Sequence, residues 1–203
     1  MSFQFVIDNA ENISVNRKKK VGISQARDGT VRTTSFGGQV WSFTVTLPNG
    51  PKWTNYRQDI TKIETLDRIT TGNIQFNKSG QEWIMQYQGN CANVSAITAT
   101  VPSSGNTITL TGGQAASGFN FRAGDIVQLG SAGKVYTVTA DVAYNSNTVT
   151  LHRPILDSAG TVTLRVGVNC VFTVICSEFP DWSLIAKDQI AWSGPFVFYE
   201  NLV

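Results

Sequence analysis

Apolar and polar residues alternate with a period of two through much of this 203-residue chain, and that period predicts strand for the segments that carry it. In "QVWSFTVTL", Trp41, Phe43, Val45 and Leu47 fall on one face and Val40, Ser42, Thr44 and Thr46 on the other, as a half-buried strand requires. "FNFRAGDIVQLGSAGKVYTVT", residues 119–139, holds two such runs around a Ser-Ala-Gly turn. "FQFVI" predicts a strand over residues 3–7, and "GNIQF", "EWIMQYQG", "CVFTVIC" and "GPFVFYENLV" predict more. Asp28 and Gly29, between two extended runs, predict a hairpin, because a tight turn needs positive φ.

One segment breaks the period. In "TNYRQDITKIETLDRI", Tyr56, Ile60, Ile63, Leu66 and Ile69 recur at helical spacing, which predicts one helix over about 55–70. Asn55 with Gln58 fits a capping box, Glu64 with Arg68 an i,i+4 pair, and Gly72 a stop. The fold class that follows is all-β with one helix.

Composition changes along the chain. From Val94 to Gly167 it is rich in Ser, Thr and Gly and holds none of the five tryptophans. Five or six short strands there suit a small barrel of the OB kind. Strands of the earlier style return afterwards. The expected organisation is therefore a discontinuous main domain, 1–93 plus 168–203, with the OB-like barrel 94–167 inserted. "GGQAASG", 112–118, has no Lys or Ser/Thr of a phosphate loop and is expected to be a flexible hairpin tip.

The chemistry-bearing residues are few. Charged residues make up 15% of the chain and the net charge is +2, which does not mark a dedicated nucleic-acid or membrane-surface binder. No apolar run is long enough to span a membrane, and the N-terminus has no basic start followed by an apolar core. Cys91, Cys170 and Cys176 are expected to be buried thiols, with Cys91 and Cys170 on paired strands where the chain leaves and re-enters the main domain. Their spacing offers no zinc site, and the lone histidine, His152, reads as a surface strand residue. No catalytic residue, cofactor site or metal site is expected, and so no enzymatic activity.

"VGISQARDGTVRTTSFGGQVWSFTVTLPNG", the helix after it, and "TITLTGG…FRAGDIVQLGSAGKVYTVT…TVTLHRPIL" together resemble the distal tail proteins of long-tailed bacteriophages. The resemblance implies a β-sandwich-like ring-forming domain carrying the OB-like barrel. It implies a structural virion protein, most commonly a hexameric ring at the end of the tail tube. Its partners would be the tube protein and the hub or baseplate proteins. Assembly would take place in the host cytoplasm, with no membrane insertion and no specific nucleic acid.

For a ring subunit, candidate contacts are Trp182, expected in a loop, and Lys18, Lys19 and Lys20, which form either a solvated loop or a basic contact to an acidic neighbour. The alternative for all five tryptophans, Trp41, Trp53, Trp83, Trp182 and Trp192, is the core, expected most clearly for Trp41 and Trp83 in alternating runs. Two alternatives remain. One is a carbohydrate- or receptor-binding module of a tail appendage, with Tyr144 and "YNSN" at the sugar. The other is a single-stranded nucleic-acid-binding OB protein using Phe119, Phe121, Tyr136 and Tyr144 beside Arg122, Lys134 and Arg165.

Overall fold

A computed structural model describes residues 3–18, 21–27, 29–35, 39–65, 70–185 and 187–202. The chain opens with one helical turn, α1 (Gln4–Asp8), then strands β1 (Asn12–Asn16), β2 (Val21–Gln25), β3 (Val31–Ser35) and β4 (Ser42–Thr46), and helix α2 (Trp53–Glu64). There follow β5 (Thr71–Ile74), β6 (Thr98–Val101), β7 (Thr107–Gly112), β8 (Phe119–Phe121), β9 (Ile126–Leu129), β10 (Val135–Thr137), β11 (Val142–Ala143), β12 (Thr148–Thr150) and β13 (Gly160–Val166). The last strands are β14 (Phe172–Glu178), β15 (Trp182–Ile185), β16 (Gln189–Trp192) and β17 (Phe196–Glu200). The protein is all-β, with helix confined to short pieces.

Two compact units divide it. The first holds Met1–Asp8, Gly72–Thr173 and Leu202; the second holds Asn9–Thr71 and Val174–Asn201. The boundaries expected at 93/94 and 167/168 fall inside the first unit. Segment 72–93 joins that unit because its polar groups are spent there. The Tyr87 hydroxyl donates to the Asn120 carbonyl, Gln88 N donates to Asp125 Oδ1 at 2.9 Å, and Asn90 exchanges bonds with Phe119.

In the first unit, six antiparallel strands run in the order β10-β9-β13-β6-β7-β12. A bridge between Val138 and Leu151 joins the two outer strands, with Thr139 N donating to Thr150 O and His152 N to Thr137 O, both at 3.0 Å. The sheet thus closes on itself, in six strands where an OB barrel has five. Each strand run supplies an i,i+2 pair to the interior: Ala99 and Val101, Ile108 and Leu110, Val127 and Leu129, Tyr136 and Val138, Val149 and Leu151, Leu164 and Val166. That is the period-two signal made into a core.

In the second unit, β1, β4, β17 and β14 form an antiparallel sheet in that order. Trp41, Phe43, Val45 and Leu47 are buried as their alternation predicts, with Phe196, Phe198, Ile60 and Ile63. Two further hairpins, β2–β3 and β15–β16, are separate two-stranded sheets.

Several elements differ from expectation. Residues 3–7 form no strand; Gln4–Asp8 is the helical turn α1. Phe3, Val6 and Ile7 are the buried set, an i,i+3,i+4 face, and Gln4 Nε2 donates to Asp8 Oδ1 at 2.8 Å. Helix α2 begins earlier than expected. Its N-cap is Lys52 without a side-chain cap, so Asn55 does not cap it; instead Trp53 N donates to the Asp188 carbonyl at 2.7 Å. Leu66, Arg68 and Ile69 lie outside the described residues, and Gly72 is in β5 and not at a helix end. A Cβ on Gly72 would sit 2.5 Å from the Phe3 ring, which explains the glycine. "EWIMQYQG" gives a 3-10 turn at Glu82–Met85, and only Met85 of that turn is buried. Segment 113–118 is no free hairpin tip: it links β7 to β8, which belong to different sheets, and Ala115 is buried with its N–H on Asn120 Oδ1.

All three cysteines are buried free thiols. Cys91 and Cys170 are not on paired strands. Cys91 Sγ faces the Asn120 carbonyl and Cys170 Sγ the Ile126 and Arg165 carbonyls. His152 follows β12, half-buried, its Nδ1 accepting from Thr137 N at 3.0 Å.

Candidate interaction site

In the second unit, hairpin β2–β3 has no buried side chain among the described residues. Hairpin β2–β3 pairs Gln25 with Val31 across a turn in which Gly29 adopts φ 84° and donates to Ala26 O at 3.0 Å. Gly29 plays the part expected of it; Asp28 lies outside the described residues. From Ile23 to Thr34 every side chain described is exposed, Ile23 at 72% and Val31 at 58%. A two-stranded hairpin with water on both faces has little to hold it.

The basic run precedes it in the chain. Arg17 places its guanidinium 5.4 Å from the Trp41 ring centre, and burial lowers its pKa. Lys18 is exposed, its backbone N–H held by Asn16 Oδ1 at 2.9 Å. Lys19 and Lys20 lie outside the described residues.

Trp182 is the first residue of β15, not a loop residue. It is half-buried, stacked on Trp53 at 4.5 Å, with Nε1 donating to Glu64 Oε1 at 2.7 Å. Its ring is therefore engaged within its own unit. Leu184 and Ile185, two and three residues on, are the exposed apolar side chains of that strand.

The first unit carries two adjoining grooves. One, of about 510 Å³, is lined by Trp83, Met85, Tyr87, Val166, Gly167 and Val168, among others. Trp83 is 70% exposed, contrary to its expected place in the core. Gly167, at φ 59°, forms part of the floor, where a Cβ would meet the Met85 carbonyl at 2.5 Å. The other, of about 1070 Å³, is lined by Ser95, Ser131, Asp157, Thr163, Arg165 and Asn169, among others. Val94, Val166 and Asn169 line both.

The aromatic set suggested for nucleic acid does not form a platform. Tyr136 and Phe121 are fully buried, and Phe119 lies under the Arg122 guanidinium at 3.5 Å, which in turn pairs with Asp141 at 2.8 Å. Lys134 gives its backbone N–H to Asp157, and Arg165 lies in the larger groove. Tyr144 is exposed but lines neither groove, and the carbonyls of Ala143, Tyr144 and Ser146 are taken by Asn120. Among the described residues no cluster of His, Cys, Asp or Glu has the form of a metal site. Among the described residues no helix is long and apolar enough to cross a membrane.

These features define an all-β protein of two units, one a closed barrel and one bearing the exposed β2–β3 hairpin. No protein-family model matches the chain, and no curated protein matches it either.

Proposed function

We propose that this chain is a structural subunit of a bacteriophage tail tip that joins with copies of itself into a closed ring, six being the number the sequence resemblance implies. The observation that supports this reading best is the β2–β3 hairpin, apolar at Ile23 and Val31 and exposed on both faces. Such a hairpin gains a buried face when it lies against a second copy. A contact between two different patches of identical subunits repeats around an axis, and closes when the rotation allows. In this role the ring would connect the tube to hub or baseplate proteins in the virion and would need no cofactor or catalytic group.

The test is light scattering on the purified chain and on an Ile23→Asp/Val31→Asp variant, alone and with tube protein. The parent is expected to form a discrete closed oligomer, and the variant to remain a monomer with an unchanged melting temperature. An oligomer of the same mass in the variant, or a single copy off the tail axis in a reconstructed particle, would overturn the reading.

A further inference from the structure

Trp83 is a large flat ring on a surface turn, and the ring contributes little to its own fold. An exposed tryptophan at the mouth of a groove calls for a ligand that needs both an apolar face and polar edges. The paired grooves supply the rest of that description. Beneath Trp83 the wall is apolar, made by Met85, Tyr87 and Val166. Beyond Val94 and Asn169 it turns to hydroxyls and amides, with Ser95, Ser131, Ser158, Thr163 and Asn169 at the surface.

Charge decides against a polyanion. The ionisable carboxylates and cation that line the two grooves are Glu82, Asp157 and Arg165. Glu82 Oε2 accepts from Gln81 N at 3.0 Å; Asp157 accepts from Lys134 N at 2.9 Å and the Tyr136 hydroxyl at 2.6 Å. Both carboxylates are thus tied to the protein. Arg165 takes part in neither side-chain ion pair found among the described residues, so its donors remain for a ligand. One cation is too few for a phosphate backbone, which is held by several. The smaller groove alone is within the usual range for a small-molecule site, about 300–1,000 Å³.

We propose that this double groove is a binding site for a neutral oligosaccharide. One sugar ring stacks its C–H face on Trp83, and the following rings run past Val94 toward Arg165, whose guanidinium and the neighbouring Ser and Asn side chains bond to sugar hydroxyls. The site is separate from Tyr144 and the "YNSN" loop.

The experiment applies the purified full chain to an array of neutral and acidic oligosaccharides, followed by calorimetric titration with the best neutral trisaccharide. Trp83→Ala and Arg165→Gln should each weaken binding at least tenfold, and Tyr144→Ala should leave it unchanged. All three variants should melt like the parent, since the altered side chains are at least partly in water. A blank neutral panel would overturn the proposal. So would neutral-sugar binding that Trp83→Ala leaves intact. If the array is blank and Trp83→Ala instead weakens self-association, the groove is a protein contact and the saccharide reading falls.

Discussion

Asn120 concentrates the polar energetics of the first unit in one side chain. It is fully buried, its Oδ1 accepts from Ala115 N at 2.8 Å, and its Nδ2 donates to the carbonyls of Ala143, Tyr144 and Ser146. Asn120→Leu keeps the volume and leaves a backbone N–H and several carbonyls without that partner; a buried polar group so stranded costs about 1–3 kcal/mol. Urea unfolding is expected to show a loss of at least about 2 kcal/mol. Asn120→Asp should be worse at pH 7 than at pH 4, because a carboxylate among carbonyls is disfavoured until protonated. Nothing in "FNF" marks this role. In an alternating strand Asn120 would face water, but the loops on that side cover it. Trp83 errs the other way: its alternation with Met85 and Tyr87 mimics a strand, yet a 3-10 turn leaves the ring outside. A second residue-scale expectation concerns Cys170, whose thiol burial pushes up to about 12. A pKa raised on folding stabilises below the unfolded value, about 8.5, and that contribution is lost as pH rises toward the folded one. Native alkylation at pH 8.5 should therefore spare Cys170 while urea exposes it. Fast native labelling would contradict the burial.

At the scale of elements, the β15–β16 hairpin shows how a distant segment sets a local boundary. Its turn holds Lys187 at φ 64° and Asp188 at φ 65°, two non-glycine residues in the left-handed region. Asp188 is kept there by its contacts: its carbonyl receives Trp53 N and its Oδ2 receives Thr54 Oγ1 at 3.0 Å. Lys187 has no such duty. Lys187→Gly is expected to raise stability by about 0.5–1 kcal/mol, seen as a higher thermal midpoint, whereas Asp188→Gly should lose the Thr54 bond and gain less. This also explains why helix α2 was legible in its middle and not at its start. Ile60 and Ile63 carry their own spacing, but the partner that caps the first turn lies far along the chain and leaves no mark near Asn55. The barrel strands were the most legible elements, because each carries its buried i,i+2 pair in a short run bounded by turn residues. In α1 the competing sets Phe3-Phe5-Ile7 and Phe3-Val6-Ile7 share two members, and five residues are too few to choose between them by pattern.

For the whole molecule, the composition shift at Val94 brackets the barrel strands, which run from Thr98 to Val166, but does not mark the wider compact unit, which begins at Gly72. The contacts of Tyr87, Gln88 and Asn90 are hydrogen bonds from polar residues in irregular backbone, which periodicity does not register. A fragment of 72–173 is therefore expected to melt cooperatively with dispersed amide signals, and 94–167, stripped of those bonds, to melt at a clearly lower temperature. Equal midpoints for the two fragments would count against that role for segment 72–93. The turn of the β2–β3 hairpin was legible at Gly29, but its exposure on both faces and the double groove were not. Both depend on which side chains a surface leaves uncovered, and a single sequence records only that Ile23, Val31 and Trp83 are apolar.

The bridge from Val138 to Leu151 has a bearing on crowding. When many copies are held side by side, every open sheet edge is a place where a neighbour's strand can add on in the wrong register. The barrel offers none along its outer strands, because Thr139 and His152 have already spent their N–H groups on Thr150 and Thr137. In the ring proposed above, contact between copies would fall to the β2–β3 hairpin of the second unit. A ring subunit built this way would keep the barrel apart from the part that joins, so that packing at high local concentration would select one contact and not lead to a tangle.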